Sequence, residues 1–119
     1  MLNINLNDTV ELMNSSDYRE RFIAEYVQTK IRYEKLKSFN TRIAAANATK
    51  GKDVKAEMPK HDCPDKLLLE QQAAMGKYLH TLEVRAVIEK INLSEAELYI
   101  MRSASEMRCK AENCTVTSK

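Results

Sequence analysis

Apolar residues recur along this chain in two long blocks, and both keep the spacing of a helix. In the first, Phe22, Tyr26, Thr29, Tyr33, Leu36, Asn40 and Ile43 step by four and three, a heptad-like seam that faces one side of a helix. Ile23, Val27 and Ile31 widen that stripe on one flank. Ser16 or Asp17 stands where a cap is needed, and Asp17 with Glu20 makes an acidic first turn that suits the positive helix end. The pattern predicts a helix over about 17–46, roughly 45 Å long at 1.5 Å per residue. The second block opens at Asp62-Cys63-Pro64-Asp65, with a proline suited to a first helical position and Asp62 or Cys63 to cap it. Leu68, Gln72, Met75, Leu79, Leu82 and Ala86 form its seam, flanked by Leu67, Tyr78 and Val87. It predicts a helix over about 64–91.

Ser94 and Glu97 make a capping box that starts a shorter C-terminal helix over about 95–112, carrying Leu98, Met101 and Ala104. The polar, β-branched residues 113–119 read as a frayed tail. Residues 47–62 interrupt the periodicity with Gly51, Pro59 and four lysines, Lys50, Lys52, Lys55 and Lys60. This basic linker is long for a helix–helix connection, which leaves a solvated loop and a functional one both open. In the N-terminal arm, residues 1–14, Leu2, Ile4 and Leu6 alternate like a short strand. Asp8 and Glu11 suit a single helical turn through Met13, and an arm packing on a neighbouring subunit fits equally well.

The expected architecture is therefore all-α, a single helical domain over 1–119. It is a long antiparallel helical hairpin with a shorter C-terminal helix. A hairpin and one short helix cannot easily hide two long stripes, so an oligomer is expected. Composition agrees: two Gly and two Pro supply too few turns for a sheet protein. No apolar run reaches the roughly 20 residues of a membrane span. The first thirteen residues lack the basic start and apolar stretch of a secretion signal. Three cysteines without framework spacing favour a reducing compartment, so the cytoplasm is the expected location. The net charge of +2 is small but unevenly placed, since residues 14–60 hold eleven Lys/Arg against six Asp/Glu. That weakly favours an anionic ligand.

Catalysis finds no support: there is no glycine-rich phosphate loop, no Gly-x-Ser-x-Gly elbow and no His-Glu-x-x-His. His80 reads as a surface or interface residue. His61, Cys63, Cys109 and Cys114 have the composition of a structural zinc set, but His-x-Cys is an unusual pair and reduced cysteines are the simpler reading. No metal or cofactor is expected. Ring and anion binding is the better prospect. Tyr18, Arg19 and Arg21 crowd the start of the first helix, Arg32, Tyr33, Lys35 and Lys37 follow, and Lys77, Tyr78 and Arg85 sit on the second. A tyrosine beside a cation can stack on a base while the cation meets a phosphate. The competing reading puts Tyr26 and Tyr33 in the core and pairs surface cations with glutamates four residues away, as Arg21 with Glu25.

Two stretches carry a resemblance. One runs from Asn14 to Tyr26 (Asn-Ser-Ser-Asp-Tyr-Arg-Glu-Arg-Phe-Ile-Ala-Glu-Tyr) and continues through Arg32-Tyr-Glu-Lys-Leu-Lys37. The other runs from Cys63 to Ala86, and its most specific part is the Leu-x-x-Glu-Gln-x-x-Ala-Met-x-x-Tyr-Leu pattern of residues 67–79. Together they resemble a small phage and prophage family built on a helical hairpin similar to that of the anti-CBASS and anti-Thoeris nucleotide sponges. The resemblance covers about residues 14–93, leaving the leader and the third helix outside it. It implies non-enzymatic oligomers, often hexamers, that sequester cyclic oligonucleotide or cyclic ADP-ribose immune signals in pockets between subunits. Aromatic stacking and cationic side chains would hold the signal there.

The leading expectation is thus a phage-encoded anti-defence sponge. Tyr18 is its stacking candidate, Arg19, Arg21 and Arg32 are its phosphate contacts, and Arg85 lies opposite. The alternative is an anti-defence inhibitor that binds a host defence protein directly, for example an anti-CRISPR. Nucleic-acid binding is a third reading, but the cations of the first helix spread around three of its sides, which counts against a single groove-reading face.

Overall fold

The computed structural model describes residues 4–93. All their regular elements are helical, with no strand among them. A 3-10 turn at Leu6–Thr9 leads into the short α1, Val10–Met13, followed by α2, Tyr18–Ala48, and α3, Asp65–Glu89. Both long helices begin and end within two residues of the expected positions. The expected third helix over 95–112, the tail 113–119, and Leu2, Cys109 and Cys114 lie outside the described residues.

Capping explains the boundaries. Asp17 accepts a bond from the Arg19 N–H at 2.9 Å, and its own N–H donates to the Ser15 hydroxyl at 2.9 Å. This satisfies donors that the first turn leaves open. At the start of α3 the Pro64 carbonyl accepts from the N–H groups of Leu67 and Leu68. Proline therefore stands one residue before the first helical position. At the other end Lys90 turns left-handed, at φ 60°. Its N–H reaches the Val87 carbonyl, and the Ile91 N–H reaches the Ala86 carbonyl at 2.9 Å. These are the two bonds of a Schellman stop, with buried Ile91 and Ala86 as its apolar pair.

Among its described residues the arm forms a turn and not the strand that its alternation allows. Asn5 and Asp8 cap each other's backbone N–H groups at 3.1 Å, which closes a turn locally. Ile4, Thr9 and Leu12 are buried, and the Thr9 hydroxyl donates to the Leu6 carbonyl and accepts from Gln28.

The described residues fall into two compact units. The first combines the arm and the start of α2, up to Gln28, with the chain from Leu82 onward. Phe22, Ala24, Tyr26, Val27, Leu82 and Ala86 make its core together with the arm residues. The second is the contiguous stretch Thr29–Thr81. There Ile31, Ile43, Ala46 and Leu79 are buried, while Tyr33, Leu36, Leu68 and Met75 are half-buried. Asn40 is buried in the same seam and donates to the Leu68 carbonyl at 3.2 Å and to Gln72 Oε1 at 2.9 Å. Gly76 has a packing role: a Cβ there would meet the Tyr33 ring at 3.3 Å. Glycine costs about 1 kcal/mol within a helix, and here it admits the Tyr33 ring.

The linker is tied to its own unit. Gly51 takes a positive φ of 77°, the Thr49 hydroxyl accepts from the Ala56 N–H, and Pro59 is buried. No helix among the described residues is long and apolar enough to cross a membrane.

Candidate functional site

Four of the five residues expected to contact a ligand fall in the first unit. Tyr18 opens α2, and Phe22 lies one turn further, its ring edge-on to Tyr18 at 6.1 Å between centroids. Arg85 of α3 lays its guanidinium over Phe22 at 5.1 Å. Its Nη2 donates to the Tyr18 hydroxyl at 2.6 Å and its Nε to Glu89 Oε2 at 3.2 Å. The Tyr18 hydroxyl in turn donates to Glu89 Oε1 at 2.8 Å. The result is a closed phenol–guanidinium–carboxylate ring of side chains, each partly open to solvent.

The charges reinforce this ring. The bond to Glu89 favours the neutral phenol and raises the Tyr18 pKa, while the Arg85 charge pulls the other way. The hydrogen bond from Tyr18, and then that from Arg85, lower the Glu89 pKa. At neutral pH the cluster therefore holds a neutral phenol, a guanidinium and a carboxylate.

Arg19 reaches the end of α3. Its Nη1 and Nη2 donate to the carbonyls of Lys90 and Glu89, both at 3.1 Å. A cation on the last carbonyls of α3 satisfies acceptors that the helix leaves open and meets the negative end of its dipole. Arg21 donates to the Ser15 carbonyl at 2.8 Å and so holds the turn that precedes α2. In this unit Arg85 pairs with Glu89 at i,i+4, while Arg21 Nη1 reaches the Ser15 carbonyl. Arg32 lies in the second unit, exposed on α2.

Three members of the cluster were not among the expected site residues. Phe22, a seam position, is both buried core and the platform for Arg85. Glu89 carried the signal of its four-residue spacing from Arg85. Lys90 carried none, because nothing local marks a left-handed lysine.

The second unit has its own polar cluster. His61 Nδ1 meets the Pro59 carbonyl at 2.7 Å and Nε2 meets Asp65 Oδ1 at 2.8 Å. Both partners are acceptors, so the doubly protonated ring suits the site. The Pro59 carbonyl and then Asp65 raise the His61 pKa, and the bond from His61 lowers that of Asp65. The ring stands edge-on to Phe39 at 5.7 Å, with Arg42 over Phe39 at 5.8 Å. Beside this cluster a shallow, largely apolar hollow of about 120 Å³ is lined by Asn40, Ile43, Ala44, Asn47, Asp65 and Leu69. Cys63 is exposed and free, and no group of three metal-ligating side chains occurs among the described residues.

Comparison with known proteins adds one positive finding. The model of a family described as Sequestin matches residues 16–88, well over half of the chain. The span contains Tyr18, Arg19, Arg21, Arg32 and Arg85, and ends one residue before Glu89. No curated protein and no solved structure matches the chain.

Proposed function

The chain belongs to the Sequestin family of anti-defence nucleotide-sponge proteins, and on that premise we propose that it sequesters cyclic nucleotide immune signals of the CBASS or Thoeris type. The family match is the observation that carries this reading. The protein acts without catalysis, in the cytoplasm of the host cell, by holding a cyclic oligonucleotide or cyclic ADP-ribose signal and lowering its free concentration. Suppression then depends on affinity and on the number of sites, because a sponge does not turn over.

The geometry of the first unit supports the reading in kind. Tyr18 is 45% exposed, open enough to stack on a base, and Arg85 beside it can meet a phosphate. Direct contact is assigned to this pair. Arg19 and Arg21, spent on backbone carbonyls, build the frame of the site. Self-assembly finds its support on α3, where Val84, Val87 and Ile88 form an exposed apolar stripe at helical spacing.

Native mass spectrometry tests the proposal, on the protein alone and mixed with cyclic di- and trinucleotides and cyclic ADP-ribose isomers. The expected outcome is a symmetric oligomer that gains whole-number ligand masses. An oligomer that ignores the entire panel would overturn the reading and point to a host defence protein as the target.

A further inference from the structure

The anion seat beside Tyr18 is already filled by a carboxylate of the chain itself. Glu89 presents one oxygen to the Tyr18 hydroxyl at 2.8 Å and the other to Arg85 Nε at 3.2 Å. A carboxylate with both oxygens received by two fixed donors is in the situation that two non-bridging oxygens of a phosphate would take. Two further observations set this contact apart from an ordinary surface ion pair. Glu89 is the last residue of α3, where a negative side chain meets the negative end of the helix dipole, so helix preference does not put it there. The donors are also pre-set: Arg85 rests on the buried Phe22 ring at 5.1 Å, and Arg19 fixes the carbonyls of Glu89 and Lys90. All three side chains of the ring keep a third to nearly half of their surface in solvent, so an incoming anion can reach them.

We propose that Glu89 is an internal counter-anion, which occupies the phosphate seat of the unliganded protein and is exchanged for a ligand phosphate on binding. This inference rests on the reading of the ligand as a phosphate-bearing signal, and it adds a selection rule to it. Displacing Glu89 returns its carboxylate to water and transfers the Arg85 and Tyr18 donors to the newcomer. Simple anions gain little by that exchange. A ligand that couples a phosphate to a ring stacked on Tyr18 gains a second contact and wins the seat. The site thereby stays closed to the abundant phosphates of the cell and open to a cyclic signal.

The experiment is a titration with pyrophosphate at fixed ionic strength, followed by tyrosine fluorescence in this tryptophan-free chain. It compares the wild type, E89Q, E89A and the double variant R85A/E89Q. Removing the competing carboxylate should tighten pyrophosphate binding by about two- to fivefold in both single variants, the scale of an exposed charge pair. The double variant should lose the gain. Single variants that bind no more tightly than the wild type, or a gain that survives without Arg85, would overturn the proposal. Thermal melts of all four proteins establish that folding is intact, and E89A gives an independent removal of the charge should E89Q misfold. The cyclic nucleotide panel separates this inference from the reading it rests on. A pyrophosphate gain in E89Q with no cyclic ligand bound by any variant would keep the seat and sink the sponge. A cyclic signal bound equally by the wild type and E89Q would keep the sponge and sink the counter-anion.

Discussion

In the unit that joins the arm to the start of α2 and the end of α3, Phe22, Val27 and Leu82 are sealed from water, at 2%, 0% and 1% exposure. In the unit formed by Thr29–Thr81 the seam is covered only in part: Asn40, Ile43 and Leu79 are buried, while Tyr33, Leu36, Leu68 and Met75 remain half-buried, although the heptad-like spacing is the same. The difference lies in what else packs on the helices. The first unit has a third layer, the arm with Ile4, Thr9 and Leu12, whereas two helices by themselves cover only the strip where they meet. The second unit compensates with specific devices: a buried asparagine bonded to α3, a glycine that admits a tyrosine ring, and a histidine staple on its linker. Periodicity therefore specifies a seam, while the depth of the core depends on the neighbours that the periodicity leaves unnamed.

The contrast can be broken most forcefully in the core. Leu82→Ala should cost about 2–5 kcal/mol, the range for a fully buried leucine, and Met75→Ala, half-buried in the second unit, clearly less. Urea denaturation of both variants measures the gap, and equal losses would remove the distinction. Asn40→Ala comes next. It deletes two donors and leaves the Gln72 amide oxygen and the Leu68 carbonyl short of a partner, at a cost of about 1–3 kcal/mol, read from the same denaturation midpoints. Lys90→Gly sharpens the comparison in the other direction. A left-handed φ of 60° strains any residue with a Cβ, so glycine should stabilise the first unit by about 1 kcal/mol and raise the melting temperature by several degrees.

The smallest effect is a pH dependence confined to the second unit. The folded pKa of His61 is raised above 6.5. Its contribution is therefore complete below that value and fades as pH rises through the folded pKa. Asp65, whose pKa is lowered below 3.8, contributes above that value and fails only in stronger acid. The staple is thus fully made in the mildly acidic range between the two. The urea midpoint should fall between pH 5.5 and pH 8, and His61→Gln should remove that part of the slope.

Helix positions were legible because two long segments keep one period, and the start of α2 because Asp17 stands at a capping position. The strand-like reading of the arm failed on chemistry that is local and visible, the reciprocal capping of Asn5 and Asp8. The roles of the cations were legible only in part. Arg85 with Glu89 and Arg21 with Glu25 have the same spacing, and the choice between them depends on the Ser15 carbonyl that draws Arg21 away. The partners of Arg19, the last carbonyls of α3, were not legible, because they are some seventy residues distant and belong to the backbone. A sequence read for side-chain motifs does not display such acceptors.

The first unit is discontinuous along the chain, with the whole of Thr29–Thr81 inserted between its two parts, and this orders events on the ribosome. The second unit is contiguous and has all its residues as soon as Thr81 emerges, while the first waits for Leu82 and beyond. At synthesis rates of about 5–20 residues per second, Phe22 and Val27 remain without their α3 partners for seconds. The bonds from Arg19 to Glu89 and Lys90 then close a long chain excursion and come late for entropic reasons. Weakening the second unit should accordingly slow folding, and weakening the first should chiefly hasten unfolding.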